Sequence, residues 1–216
     1  MPKKKQDLIC FDMDGTLIDS TPVQVKAFKS AVEKNKLTFP GKKKVIEHFG
    51  PGMEQVLRSL YPRISKLRSE QVIKDYIATL EKNRNLMKPF PHVKEALLKL
   101  KKKFKLGIVS NSYNEEIKER LEGAKIPTKI FEVFIGEDDA KPKPSPTGIL
   151  LAEKLTNSDA KFMVGDTIYD IKAGKKAGCK TIGVLTGIHT MEQLMKASPD
   201  ILASSVAILP DILLNE

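Results

Sequence analysis

Residues 7–17 read Asp7-Leu8-Ile9-Cys10-Phe11-Asp12-Met13-Asp14-Gly15-Thr16-Leu17. The apolar run is short and is stopped by acidic residues and Gly15, which reads as a buried parallel strand running into a loop. The same signal recurs at residues 105–110, 129–135, 161–165 and 181–185, short and often β-branched runs that end in or beside Gly, Ser, Asp or Thr. Between them lie helical patterns. Residues 114–122 open with Asn and two Glu, residues 145–155 have Pro146 near their start, and residues 168–178 place Gly178 where a C-cap glycine belongs. Strands alternating with helices predict an α/β fold, a doubly wound, mostly parallel, Rossmann-like sheet wrapped by helices.

One stretch breaks the rhythm. Residues 22–34, 42–48, 53–60 and 69–83 are helix-like, and nothing from Pro22 to Met87 reads as a strand. Coming straight after the first strand and before Pro89-Phe90-Pro91, this stretch predicts a helical insertion hinged near Ser20-Thr21-Pro22 and residues 88–91. The division expected is a core of residues 1–20 and 88–216 with a helical segment of residues 21–87.

At 216 residues, 41% of them hydrophobic and 30% charged, the chain suits a compact domain carrying a smaller inserted one and argues against extended disorder. Two distant cysteines, Cys10 and Cys179, and three histidines, His48, His92 and His189, give no zinc-like spacing and fit a reducing cytoplasm. The basic start, Lys3 to Lys5, is interrupted by Gln6 and Asp7, and the apolar run that follows ends at Asp12 without a cleavage signature, so no signal peptide is expected. No run of eighteen apolar residues exists, so no membrane span is expected either. The formal charge of +10 admits three readings: a nucleic-acid partner, attraction of anionic substrates, or a solvated lysine-rich surface. The lysines are scattered in short runs (Lys3–Lys5, Lys42–Lys44, Lys101–Lys103), and Glu33, Glu47, Glu81, Glu95 and Glu119 are interleaved with basic residues, as on solvated helix faces. No aromatic platform or basic reading helix accompanies them, and no specific nucleic-acid partner is expected.

The chemistry-bearing residues cluster at predicted strand ends. Asp12 and Asp14 flank one residue at the carboxyl end of the first strand, where open α/β sheets bind ligands. Two such carboxylates are costly to ionise together unless a cation offsets them, and magnesium is the natural partner; a strand end followed by an Asp14-Gly15 turn is the plainer reading. Val164-Gly165-Asp166-Thr167-Ile168-Tyr169-Asp170 again delivers acids after a strand. Asp166 would complete a metal site. Asp170, in the first turn of a helix, is favoured there by the dipole, either as a capping-region residue or as an outer group orienting water or Lys143. Ser110-Asn111-Ser112 ends the second strand ahead of a helix near Asn114, a place for phosphoryl oxygens or simply a helix cap. Lys141-Pro142-Lys143-Pro144-Ser145-Pro146 holds two lysines in a stiffened loop, either surface charges or neutralisers of a carboxylate–phosphate cluster.

Together these residues resemble the haloacid dehalogenase superfamily, in its branch of small phosphatases similar to phosphoglycolate phosphatase. Four motifs stand in the family's order over nearly the whole chain: Asp12-Met13-Asp14-Gly15-Thr16, Ser110-Asn111, Lys143 in Lys-Pro-Ser-Pro, and Gly165-Asp166 with Asp170. The resemblance implies that Asp12 is a nucleophile forming an aspartyl phosphate. It also implies that Asp14 is the acid that protonates the leaving oxygen and then the base that activates water. Thr16, Ser110 and Asn111 would hold the phosphoryl group or its flanking backbone. Mg2+ would be held by Asp12, the Asp14 main-chain carbonyl, Asp166 and waters, with Asp170 outside that set. Lys143 matches the family lysine better than Lys141, and the helical insertion matches the family's cap, which closes over the site.

Within the family, the second aspartate, Asp14, argues for phosphoryl chemistry over dehalogenation. Mutases similar to β-phosphoglucomutase carry a histidine near the start of the cap, where this chain has Gln24 or Val25. A small phosphorylated metabolite is therefore the expected partner: a phosphoglycolate-like compound, a sugar phosphate or a nucleotide. A phosphomutase and a non-catalytic nucleic-acid-binding protein are the alternatives, the oligomeric state is not legible, and basic residues of the insertion (Lys44, His48, Arg58, Arg84) read first as surface charge.

Overall fold

The computed structural model describes residues 5–215; most of the basic start considered for a signal peptide, residues 1–4, lies outside them. Strand β1, Leu8–Phe11, is buried along its whole length. Ile9 and Phe11 enter the larger hydrophobic core on one face, and Leu8 and Cys10 the smaller core on the other. Side chains alternate across a strand, so an uninterrupted apolar run fits a strand covered on both faces.

The chain leaves β1 through a short strand β2, Ile18–Asp19, and returns through β3, Lys88–Pro89, which pairs with it antiparallel. Between them run four helices: α1 (Thr21–Lys34), α2 (Lys42–Ile46), α3 (Met53–Leu60) and α4 (Lys66–Asn83). Their apolar faces meet in the larger core, with Phe28 of α1 edge-on to Phe49 at 6.3 Å between ring centroids. Helix α4 begins three residues before the pattern predicts because the Ser65 side chain accepts a hydrogen bond from the Arg68 backbone N–H and caps it.

After α5 (Val93–Leu100) come β4 (Lys105–Val109), α6 (Asn114–Gly123), β5 (Val133–Ile135), α7 (Thr147–Thr156), β6 (Ala160–Gly165), α8 (Ile168–Ala177), β7 (Lys180–Val184), α9 (Met191–Lys196), β8 (Ile201–Ala203) and α10 (Leu209–Leu213). The six-stranded sheet is parallel throughout, in the order β5-β4-β1-β6-β7-β8. The chain therefore winds outward from β1 to β5, returns to the other side of β1 at β6, and winds outward again. The carboxyl ends beside β1 form the switch point at which such sheets bind ligands. Gly178 ends α8 in the left-handed conformation, as its C-cap position predicts.

Residues 129–135 do not form one strand. The Ile130 N–H bonds back to the Pro127 carbonyl at 3.3 Å, closing a 3-10 turn over Thr128–Ile130, and only Val133–Ile135 pairs with β4. Helix α7 begins at Thr147, after Pro146 as its N-cap, because the residue before each proline of the stretch 142–146 is biased away from the helical region. No helix among the described residues is long and apolar enough to cross a membrane.

Candidate active site

Two further ladder bonds carry the sheet beyond its last paired residues: Asp12 N donates to Val164 O at 2.8 Å, and Ser110 N to Ile135 O at 3.0 Å. Asp12, Ser110 and Asp166 thus emerge together at the carboxyl edge. Of the eight residues expected to form the site, seven (Asp12, Asp14, Ser110, Asn111, Lys143, Asp166 and Asp170) line one cavity there. The eighth, Thr16, is fully buried behind it and donates through Oγ1 to Asp166 Oδ1 at 3.1 Å.

Lys143 comes from the loop between β5 and α7. Its Nζ donates to Asp12 Oδ1 at 2.7 Å and to Asp170 Oδ1 at 2.6 Å, with the side chain 5% exposed. Lys141, by contrast, is exposed. Asp170 is bound through both oxygens, since Oδ2 accepts from Thr167 N at 2.9 Å and from Thr167 Oγ1 at 2.6 Å within the capping box that opens α8. Capping and orienting are one arrangement: the box fixes the carboxylate that aims Lys143.

Asp166 accepts from Ile188 N at 2.9 Å in addition to Thr16. Two glycines make room for it. Gly15 has a φ of +78°, which disfavours other residues, and a Cβ there would lie 2.6 Å from Asp166 Oδ2. A Cβ at Gly187 would lie 1.8 Å from the same oxygen. Gly187 and Ile188 act through space and backbone, so no side-chain motif advertises them.

Asp12, Asp166 and Asp170 each offer an oxygen within 4.8 Å of the others, and all three are buried. Against three carboxylates stands one lysine, an imbalance that a divalent cation would cancel, and an all-oxygen donor set suits a hard ion. The residues fit such a metal. Burial pushes Asp12 up to about 7, with Asp170 adding to the rise and Lys143 opposing it. Asp166 is raised as well, by burial and then by Asp12 and Asp170. Burial opposes the charge of Lys143, but the two carboxylates beside it prevail and raise its value.

A sign follows for stability. In the metal-free protein Asp12 keeps its proton up to about pH 7, whereas an unfolded aspartate releases it near pH 4. The folded state therefore binds more protons over that window, and its stability falls as pH rises through it. In chelator the melting temperature is expected to drop between about pH 5 and pH 8, and magnesium to raise it more at about pH 8 than at pH 5. Differential scanning fluorimetry checks both, and a chelated protein that gains stability over this range would contradict the assignment.

Asp14 faces a different partner. Its Oδ2 accepts from Arg120 Nη1 at 2.7 Å, while its Oδ1 is buried with no hydrogen-bond partner among the described residues. Arg120 also donates to Ser112 Oγ at 3.0 Å and, through Nη2, to Glu116. Sequence reasoning missed Arg120. The available signal was a cation on the apolar stripe of α6, three residues after Ile117 and next to Leu121.

Asn111 clamps the Lys143 peptide. Its Oδ1 accepts from Lys143 N at 2.7 Å, and its Nδ2 donates to Lys143 O at 3.2 Å and to Gly50 O at 2.8 Å, tying the loop that carries Lys143 to the helical segment. Ser110 Oγ accepts from Ser112 N at 3.2 Å. Gln24, Phe49, Gly50, Pro51 and Tyr76 of the helical segment complete the walls. Its basic residues do not: His48 contacts the Lys44 carbonyl, Arg58 pairs with Glu54, Arg84 pairs with Glu119, and Lys44 is exposed.

The sequence profile of the haloacid dehalogenase-like hydrolases matches residues 9–184. A protein of Caldanaerobacter subterraneus subsp. tengcongensis, provisionally named pyrophosphatase PpaX, is 34% identical over 89% of this chain and 87% of its own. Phosphoglycolate phosphatase of Escherichia coli O157:H7 is 32% identical over 92% of this chain and 88% of its own. Among solved structures, a haloacid dehalogenase-like hydrolase of Bacteroides fragilis, its name again provisional, superposes with a TM-score of 0.87 at 26% identity, over 95% of this chain and all of its own.

Proposed function

Since the chain belongs to the haloacid dehalogenase-like hydrolases and is a phosphoric monoester hydrolase of that family, we propose that it is a magnesium-dependent phosphatase of small phosphorylated metabolites acting through an aspartyl phosphate on Asp12. The observation that carries this reading is the single ammonium, Lys143 Nζ, bonded at once to Asp12 and Asp170 at the sheet's switch point.

An Asp12 carboxylate oxygen attacks phosphorus, the bond from phosphorus to the ester oxygen breaks, and that oxygen takes a proton from Asp14. Asp14 then takes a proton from the water that attacks the aspartyl phosphate, releasing phosphate and restoring the Asp12 carboxylate. Arg120 holds Asp14 by Oδ2, which leaves the unpartnered Oδ1 to carry that proton. Lys143 stabilises charge on the transferring oxygens, Ser110 faces the phosphoryl group, Asn111 fixes the loop that carries Lys143, and Thr16 fixes Asp166. Magnesium, when bound, would be held by Asp12, the Asp14 main-chain carbonyl and Asp166, with Asp170 outside, and would offset the repulsion between phosphoryl group and nucleophile.

Residues 21–87 serve in this reading as a cap that excludes water during the first step and contacts the leaving group. Gln24 supports hydrolysis over mutase chemistry: its Nε2 donates to Ser20 Oγ at 3.0 Å, it lines the cavity, and no histidine among the described residues does so. The two cysteines are buried free thiols, which fits the expected reducing cytoplasm.

The test is phosphate release from p-nitrophenyl phosphate, sugar phosphates, nucleoside monophosphates, phosphoglycolate and pyrophosphate, with magnesium and with chelator. Metal-dependent release from at least one is expected, and none from any, with folded protein, would overturn the reading.

A further inference from the structure

Among the described residues lining the reaction cavity, only Lys143 and Arg120 are cationic. Lys143 lies between Asp12 and Asp170, and Arg120 between Asp14 and Glu116. Each is 5% exposed. Neither offers an unmatched positive charge to whatever the phosphate is attached to.

The rest of the cavity lining is apolar, neutral polar or acidic. Met53, Val56, Ile73 and Ile77 face it from α3 and α4, and Tyr113 and Glu137 from the core. Glu137 makes no ion pair among the described residues. Its carboxylate sits against Gly52, where a Cβ would come within 2.8 Å of Oε1, so the helical segment approaches this acid closely. Burial, and after it the neighbouring Glu54 and Asp138, push Glu137 above the usual carboxylate range. Met53, Ile73, Ile77, Tyr113 and Glu137 are shared with an outer cavity of about 540 Å³. There Glu54 pairs with Arg58 at 2.7 Å and Glu70 with Lys66 at 3.9 Å, which leaves one further acid, Glu81, and one further base, Lys74. The path from solvent to Asp12 is thus neutral to negative, although the whole chain is basic.

We propose, on the phosphatase reading above, that the substrate is a phosphate monoester whose leaving alcohol carries no negative charge and is favoured when it carries an amine that can meet Glu137. An anionic leaving group would lose its hydration facing an unpaired carboxylate with no unmatched cation on the lining of the reaction cavity to replace it, and juxtaposed like charges are a strong means of rejection. The names of the relatives point the other way, to glycolate and to phosphate, which are anions.

Three phosphate esters of matched length test this: phosphoethanolamine, 2-hydroxyethyl phosphate and phosphoglycolate, each assayed with magnesium. The quantity is kcat/KM, or inhibition of p-nitrophenyl phosphate turnover where a compound is not itself hydrolysed. The amine and the neutral ester are expected to exceed phosphoglycolate by about tenfold or more. Glu137→Gln should shrink the lead of the amine, and Glu137→Lys should raise phosphoglycolate. Phosphoglycolate equal to or better than the other two would overturn the proposal. Absence of magnesium-dependent release from all three esters and from p-nitrophenyl phosphate would instead count against the phosphatase reading, so the two failures are separable.

Discussion

Asp12→Asn is expected to lower magnesium-dependent phosphate release by at least about a thousandfold while leaving the fold and melting temperature of the metal-free protein intact or improved. An amide cannot form the acyl phosphate, and the other carboxylate beside the end of β1, Asp14, is held by Arg120. The stability half follows from the surroundings. Asp12 is buried and already pushed up to about 7, so its negative charge is a burden on the metal-free fold. Asp170 remains to pair Lys143 after the change. Single-turnover phosphate release beside a thermal melt checks both halves, and activity within about tenfold of the parent would remove Asp12 from the role of nucleophile.

Lys143→Met should be strongly damaging to stability and should lower turnover as well. It leaves Asp12, Asp166 and Asp170 buried together without a cation, and breaking a buried pair from one side costs about 3–5 kcal/mol. Turnover should fall at least about a hundredfold, since the cation beside the transferring oxygens is gone. The stability defect should ease at low pH, where the carboxylates protonate, and with magnesium, which replaces the missing charge. Lys141→Met, two residues away and exposed, should stay within about 0.5 kcal/mol of the parent. Urea denaturation of the two variants at neutral pH makes the comparison, and a Lys143→Met protein as stable as the parent would show that the acids are compensated in another way.

The parts of the fold legible in the sequence are those whose local signal and tertiary fate agree. The run Leu8–Phe11 is apolar because both faces of β1 are covered, and α3 was placed to the residue because its pattern and its packing coincide. Strand β8 was not legible because three residues, Ile201–Ala203, carry no periodicity, and the β2–β3 pair was hidden because two residues on each side are fixed only by each other. The site divides similarly. Asp12, Asp14, Lys143, Asp166 and Asp170 stand in motifs at strand ends, where residue type and position speak together. Arg120 lies mid-helix, more than a hundred residues from Asp14 in sequence, and only folding makes it a neighbour. The role of Asn111 was legible as a place but not as a deed: its amide clamps the Lys143 peptide and reaches Gly50, partners that no local pattern specifies.

The pairing of Ile18 with Pro89 and of Asp19 with Lys88 brings the departure and return of the helical segment to one spot. An excursion that begins and ends at adjacent points places almost no demand on the sheet, because the closure entropy of a loop grows only slowly with its length. The strand order would be the same if the excursion were a tight turn or a different bundle of helices. If residues 21–87 act as the proposed cap, that segment is open to exchange as a cassette while the acids at the end of β1 stay where they are, and the same two seams are where a protein engineer would graft.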